Sequence, residues 1–343
     1  MNIKKHLARL HRQSFMVDAH FDLAYDVQNR RERGEKNIIE NIYLPEFKRG
    51  GFDLIVSAIF IDDFFLPEMG LRRALGQISC LYQEAEESQG KFAVCRTVAE
   101  AELAKNNDKT AIFISLEGAD PIQNDLAMLR IFYELGVRGL GLVWSRRNYA
   151  ADGSFFVSRQ EGRKGGLTPF GVELVREAEK LGMFLDVSHL NDEGFWDLMA
   201  IAEKPVIASH SNCRKLAGTM RNLTDEQIKA LAKTGGVIGI NGVSIFAADK
   251  PEADICDLVD HVDHIARLTS IEHVGIGFDI CHSFTNYLQT PSPIDACDLV
   301  KSHGQVEPFT AELIARGYSD DEITKVLGGN LVRVYREILD NEV

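Results

Sequence analysis

Phe15-Met16-Val17-Asp18-Ala19-His20-Phe21-Asp22 is the stretch from which the rest of the chain can be read. An apolar run leads straight into a His-x-Asp pair. On an extended strand, residues i and i+2 project to the same face. His20 and Asp22 can therefore present an imidazole and a carboxylate to one pocket, a donor pair that suits a divalent metal such as zinc. Taken alone, the pair reads more simply as a buried histidine beside a loop acid. The recurrence of this arrangement along the chain changes that reading.

Seven more β-type runs follow, at roughly 54–60, 111–116, 139–143, 184–187, 206–209, 237–241 and 273–277. Most are nearly continuous apolar runs, as expected of parallel strands covered on both faces. Helical segments lie between them and carry start and stop signals. Thr168-Pro169 sets a capping residue before a proline at the first helical position, and Gly182 closes that segment. Thr224 to Gln227 forms a capping box ahead of Ile228 and Leu231, and Ser319 to Glu322 forms a second ahead of Ile323, Val326 and Leu327. Eight strand–helix units in 343 residues predict an α/β fold, a (β/α)8 TIM barrel, rather than an open sheet. No glycine-rich dinucleotide fingerprint follows the first strand.

Nothing in the chain suggests a linker, repeat or low-complexity segment. One barrel domain over residues 1–343 is expected, with loop insertions and a C-terminal helical segment. The charged stretch 30–36 and the proline-containing stretch 284–307 read as insertions or plain solvated loops. The composition, 45% hydrophobic and 26% charged, is that of an ordinary globular protein. A formal charge of −13 argues against nucleic acid or an anionic membrane surface as partner. The six cysteines are scattered and form no Cys-x-x-Cys, so reduced thiols are expected rather than a disulfide framework or thiolate zinc site. No signal peptide and no apolar run of the ~18 residues a membrane helix needs can be read, so the expected location is cytoplasmic.

In such a barrel the side chains at the C-terminal strand ends converge on one face. The first run ends in His20 and Asp22, the third in Glu117, the fifth in His189, the sixth in His210 and the eighth in Asp279. Each has a plainer reading when taken singly. His189 could be a core histidine bonded to a carbonyl, His210 a turn residue and Glu117 an exposed loop acid. Together they supply the imidazoles and carboxylates that two metals about 3.5–4 Å apart require. Glu117 suits a bridging role, because its two oxygens can be shared. His20 and Asp22 would hold one metal and His189 and His210 the other, with open positions for a shared water. The remaining histidines, His6, His11, His261, His264, His273 and His303, read as helical or surface residues, and His282 stays ambiguous.

These residues resemble the renal (membrane) dipeptidase family, the M19 peptidases of the amidohydrolase superfamily. The resemblance spans nearly the whole chain. It is carried by Asp18 to Asp22, Leu44-Pro45-Glu46-Phe47-Lys48-Arg49-Gly50-Gly51, Leu116-Glu117-Gly118, Asp186-Val187-Ser188-His189, Pro205 to Ser211, Arg221-Asn222-Leu223 and Gly328 to Arg333. It implies a metal-dependent hydrolase barrel with two zinc ions, other divalent metals being compatible with the N/O ligands. It also implies hydrolysis of dipeptides, including those with a D-residue at the C-terminal position, and hints at a homodimer.

By the same resemblance Arg221 contacts the substrate carboxylate and Asp279 handles the catalytic proton, with Glu117 bridging the metals. Arg221 reads equally as a surface salt-bridge residue. Two departures stand out. Trp144 occupies the position where well-known members carry a histidine that binds the scissile carbonyl. Ile280-Cys281-His282 follows Asp279 in place of a second acid and glycine. Other readings are a different amidohydrolase activity, such as lactone or N-acyl amino acid hydrolysis, or a non-catalytic metal-binding homologue.

Overall fold

The computed structural model describes residues 3–156, 162–282 and 296–340. Nine strands run through them: β1 Met16–Phe21, β2 Phe52–Phe60, β3 Phe92–Val94, β4 Thr110–Glu117, β5 Val137–Gly141, β6 Phe184–Asp186, β7 Val206–Ile207, β8 Ile238–Ile240 and β9 Val274–Ile276. Eight coincide with the runs expected from sequence. The additional one, β3, has three residues and pairs with the first half of β4. Its three residues, Phe92-Ala93-Val94, are apolar but too few to be distinguished as a strand from the pattern alone.

Every ladder is parallel. Pairing runs β1-β2-β4-β5-β6-β7, and β8 pairs with β9. Ala208 bridges Ile238, and Gly239 N–H donates to Ala208 O at 2.8 Å, which carries the curl from β7 to β8. β9 lies against β1. The architecture is a (β/α)8 barrel. Parallel closure brings all the C-terminal strand ends to one mouth. At the other end, Leu331, Val334, Tyr335 and Ile338 of the helix Asn330–Leu339 pack on Val17, Leu54, Val56, Phe113, Phe184 and Ile207. The expected C-terminal helical segment is thus an apolar plug.

The caps form where the sequence places them. Thr168 Oγ1 accepts from Gly171 N–H with Pro169 in the first turn, and the boxes at Thr224 and Ser319 are both complete. Residues 30–32 are not a free loop. They end the helix Leu23–Glu32, and Arg31 reaches Glu87 at 2.8 Å on the helix Gly70–Glu87. Much of the second expected insertion, 284–295, lies outside the described residues, and 296–307 packs back on the barrel. All six cysteines are free thiols. Among the described residues no helix is long and apolar enough to cross a membrane.

Candidate metal centre

His20 lies near the end of β1, but Asp22 is not on the strand. The strand ends at Phe21, and Asp22 occupies the N-cap position of the helix that follows, with φ −73° and ψ 40° and no side-chain capping bond. The turn still brings the two side chains together, with His20 Nε2 4.0 Å from Asp22 Oδ1. Strand alternation was therefore the wrong reason for a correct proximity. Glu117 ends β4, and its Oε1 lies 2.9 Å from His189 Nε2, 3.5 Å from His210 Nε2 and 3.6 Å from His20 Nε2. The two Nε2 atoms of His189 and His210 are 3.0 Å apart, and the His20 and His210 rings stack at 3.6 Å. Asp279 Oδ1 is 3.8 Å from His20 Nε2.

Three overlapping groups could hold a cation: His20, Asp22 and Glu117; Glu117, His189 and His210; and His20, His210 and Asp279. Glu117, His20 and His210 each belong to two of the three. A cation also fits what the protein leaves unsatisfied. His20 Nε2, Asp22 Oδ1 and Glu117 Oε2 are buried with no hydrogen-bond partner among the described residues. Buried polar atoms are normally paired, so three orphans converging on one point mark a place for a ligand.

The surrounding shell orients these donors. Ser209 Oγ donates to Asp186 Oδ2, because a carboxylate only accepts, and lies 2.7 Å from His210 Nδ1. The imidazole must then donate from Nδ1, which leaves the Nε2 lone pair directed at the cluster. Asp186 Oδ1 also accepts from Ser188 and Ser209 N–H, each at 2.9 Å. Ser145 Oγ sits 3.1 Å from His189 Nδ1. Such outer partners fix tautomer and ring orientation in metal sites. Backbone strain gathers here too. His189 has φ +70° and Asp279 φ +56°, conformations that non-glycine residues rarely adopt. After Glu117, Gly118 at φ +99° turns so tightly that a Cβ would lie 2.7 Å from Asp120 Oδ2.

Without a cation, these groups are all driven toward neutrality. Burial pushes the Glu117 and Asp22 carboxyls well above the carboxylate range; Asp22 and Asp279 add to the shift of Glu117, and Asp279 adds to that of Asp22 while Glu117 offsets part of it. Burial raises Asp279 to about 7. Burial and the Arg221 charge hold His20 down to about 3, and His189 and His210 are pushed down for the same first reason. Neutral imidazoles keep their lone pairs available. Crowded carboxylates that resist ionising gain most from a neighbouring dication.

Arg221 is no surface residue. It is 4% exposed, and its guanidinium donates to Ser211 Oγ and His210 O, each at 3.0 Å, leaving Nε without a partner among the described residues. Trp144 is half-buried at the mouth, in ring contact with Phe60 and Phe156 at 5.4 Å and His189 at 5.7 Å. Asn241 Nδ2 donates to Asp279 Oδ2 at 3.0 Å. His261 is a satisfied core histidine, as its helical context suggested. His303 departs from its surface reading: it is 2% exposed and 2.8 Å from Asp18 Oδ2. A second acid does stand behind Asp279. Asp298 Oδ2 accepts from Cys281 N–H at 3.0 Å and His282 N–H at 2.8 Å. Sequence reasoning missed it because it lies 19 residues downstream of Asp279.

The signature of the family described as membrane dipeptidase (peptidase family M19) matches residues 4–342. Dipeptidase 3 of Homo sapiens is 27% identical over 342 residues, which cover 94% of this chain and 65% of the human protein. A solved metallopeptidase, dipeptidase AC, is 27% identical with a TM-score of 0.82, covering 95% of this chain and 99% of its own. The metallopeptidase of Rhodobacter sphaeroides, solved with a phosphinate mimic of the dipeptide L-Ala-D-Ala, is 26% identical with a TM-score of 0.82, covering 94% and 99%.

Proposed function

The chain belongs to peptidase family M19, the membrane dipeptidases, and on that premise we propose that it hydrolyses dipeptides, including L,D-dipeptides, with a pair of zinc ions. Membership makes it a metal-dependent hydrolase of the dipeptidase class. The observation that carries the finer reading is the pair of three-residue groups sharing Glu117, with orphaned donor atoms in the first. In this reading His20 and Asp22 hold one ion, His189 and His210 the other, and Glu117 bridges. When bound, such a pair supplies Lewis acidity toward a carbonyl and makes water acidic enough to act as a nucleophile at neutral pH.

The chain's own residues do the rest. Arg221 offers a planar fork to the substrate's terminal carboxylate, and its enclosure strengthens that ion pair. Asp279 faces the cluster and is raised to about 7, which suits a group that takes a proton from the attacking water and returns it to the leaving amine. Trp144 presents an indole N–H where an imidazolium is ruled out, so it can donate to the substrate carbonyl but cannot bring a charge. The solved L-Ala-D-Ala mimic complex of a relative supports the choice of substrate.

The test is metal analysis together with hydrolysis of L,L- and L,D-dipeptides, lactones and N-acyl amino acids by zinc-loaded protein. Two zinc ions per chain with dipeptide turnover is the expected result. Turnover of lactones or acylated amino acids alone would replace the substrate class. Zinc binding without any hydrolysis would point to a non-catalytic homologue.

A further inference from the structure

Among the described residues two seams of the barrel lack a strand ladder: β7 and β8 share only the bridge between Ala208 and Ile238, and β9 and β1 share none. β9 and β1 lie side by side but form no paired register. His20 and Asp279 stand on opposite sides of this second seam, 3.8 Å apart. The Asp18 side chain bridges it. Asp18 is fully buried, and its Oδ1 accepts from His20 N–H at 3.1 Å on one side and Phe278 N–H at 3.2 Å on the other. One carboxylate oxygen thus sets the backbone at His20 and immediately before Asp279.

Asp18 is in turn held by His303, whose Nε2–H donates to Oδ2 at 2.8 Å. His303 arrives on the chain that returns to the barrel after β9. Phe21, Phe47 and Phe52 surround its ring edge-on at 4.8–5.0 Å. The helix Leu44–Gly50 presses so closely on it that a Cβ at Gly50 would lie 2.1 Å from His303 O. The same returning segment pins the other side of the seam. Asp298 bonds Cys281 and His282 N–H just after Asp279, and its backbone is bridged to Val243.

We infer that His303, acting through Asp18, is a positioning residue of the metal centre: it fixes His20 against Asp279 across the unpaired seam. The inference rests on the metal-ligand reading of His20. The caged ring of His303, with one side-chain polar contact among the described residues, makes the hydrogen bond, rather than bulk, the feature that matters. Loss of an outer partner of this kind weakens metal binding by about 10–100-fold.

The experiment is competition between the protein and a chelator for zinc, in wild type, His303→Phe and His303→Gln, with thermal melting to confirm folding. His303→Phe keeps a ring in the aromatic cage and removes the donor; zinc affinity is expected to fall by about 10–100-fold. His303→Gln keeps an amide N–H within reach of Asp18 and should recover most of it. If His303→Phe does not fold, Asp18→Asn provides the comparison. It retains volume and the Oδ1 acceptor while removing the carboxylate that His303 bonds, and a smaller loss in the same direction is expected. Wild-type affinity in His303→Phe, or equal loss in the Phe and Gln variants, overturns the inference while leaving the function intact. So does wild-type affinity in Asp18→Asn. A wild-type protein that takes up no zinc refutes the proposed function, and this inference with it.

Discussion

Replacing Glu117 by Gln tests the centre at its shared member. The change keeps shape and removes one negative charge from between three imidazoles 2.9–3.6 Å away. At the ~4 Å scale of this cluster and an effective dielectric of about 20, the lost attraction is about 4 kcal/mol per unit of cation charge. That corresponds to at least a thousandfold weaker binding, at about 1.4 kcal/mol per tenfold. The metal-free protein should barely notice the substitution. Burial and Asp22 already push the Glu117 carboxyl far up, so near pH 6 the amide replaces a neutral acid. The assay is thermal melting at pH 6 with and without zinc at about 100 times the wild-type Kd. Wild type should gain about 2.7 kcal/mol from ligation, and the variant, bound about a thousandfold more weakly, less than about 0.1 kcal/mol. Equal metal-free melting with the zinc gain abolished is the expected pattern. A variant that keeps the full zinc gain would refute the bridging role and the electrostatic reasoning behind it.

Other consequences are as direct. Asp279→Asn should bind zinc normally yet lose about 10²–10⁴ in kcat, the usual range for a general acid–base group; single-turnover kinetics on zinc-loaded protein checks this, and unchanged kcat would remove Asp279 from the proton role. Arg221→Lys should raise KM by about 10–100-fold for free dipeptides, the worth of a hydrogen bond to a charged group, and should leave the KM of C-terminally amidated analogues unchanged. Trp144→Phe keeps the ring contacts with Phe60 and Phe156 and deletes the N–H, so kcat/KM should fall by about tenfold, the loss of one hydrogen bond; an unchanged value would make Trp144 a wall and no more. In metal-free protein the depressed His20 binds fewer protons folded than unfolded, so its effect raises stability with pH only up to about 6.5. The raised Asp279 binds more protons folded than unfolded, so its contribution is lost as pH climbs from the ordinary carboxylate range through about 7, and the raised Asp22 and Glu117 carboxyls act in the same direction. Melting temperatures with chelator should therefore drop as the pH rises from about 6.5 through about 7, and zinc should remove the drop.

Local patterns along the chain determined much of this protein. Apolar runs marked eight strands because parallel strands are buried on both faces. Thr168, Thr224 and Ser319 marked helix starts because capping is a contact within four residues. His20, Glu117, His189 and His210 were legible because parallel closure gathers the ends of apolar runs. The sequence alone could also place Arg221 near a substrate, but only through a family resemblance.

Tertiary structure decided the rest, wherever the deciding contact spans distant positions. Asp22 reaches His20 from the N-cap position of a helix rather than from a strand face. Arg221 is enclosed by Ser211 and the His210 carbonyl rather than lying on the surface. The tautomer of His210 follows from a hydroxyl bonded to Asp186, 23 residues before Ser209. His303 finds Asp18 across 285 residues, and no local pattern distinguishes it from a surface histidine. A residue's type and near neighbours set which element it joins, but burial and pairing depend on what the closed barrel brings beside it. That is why most of the candidate metal donors could be proposed from strand ends, while the groups that orient them emerged only from the folded chain.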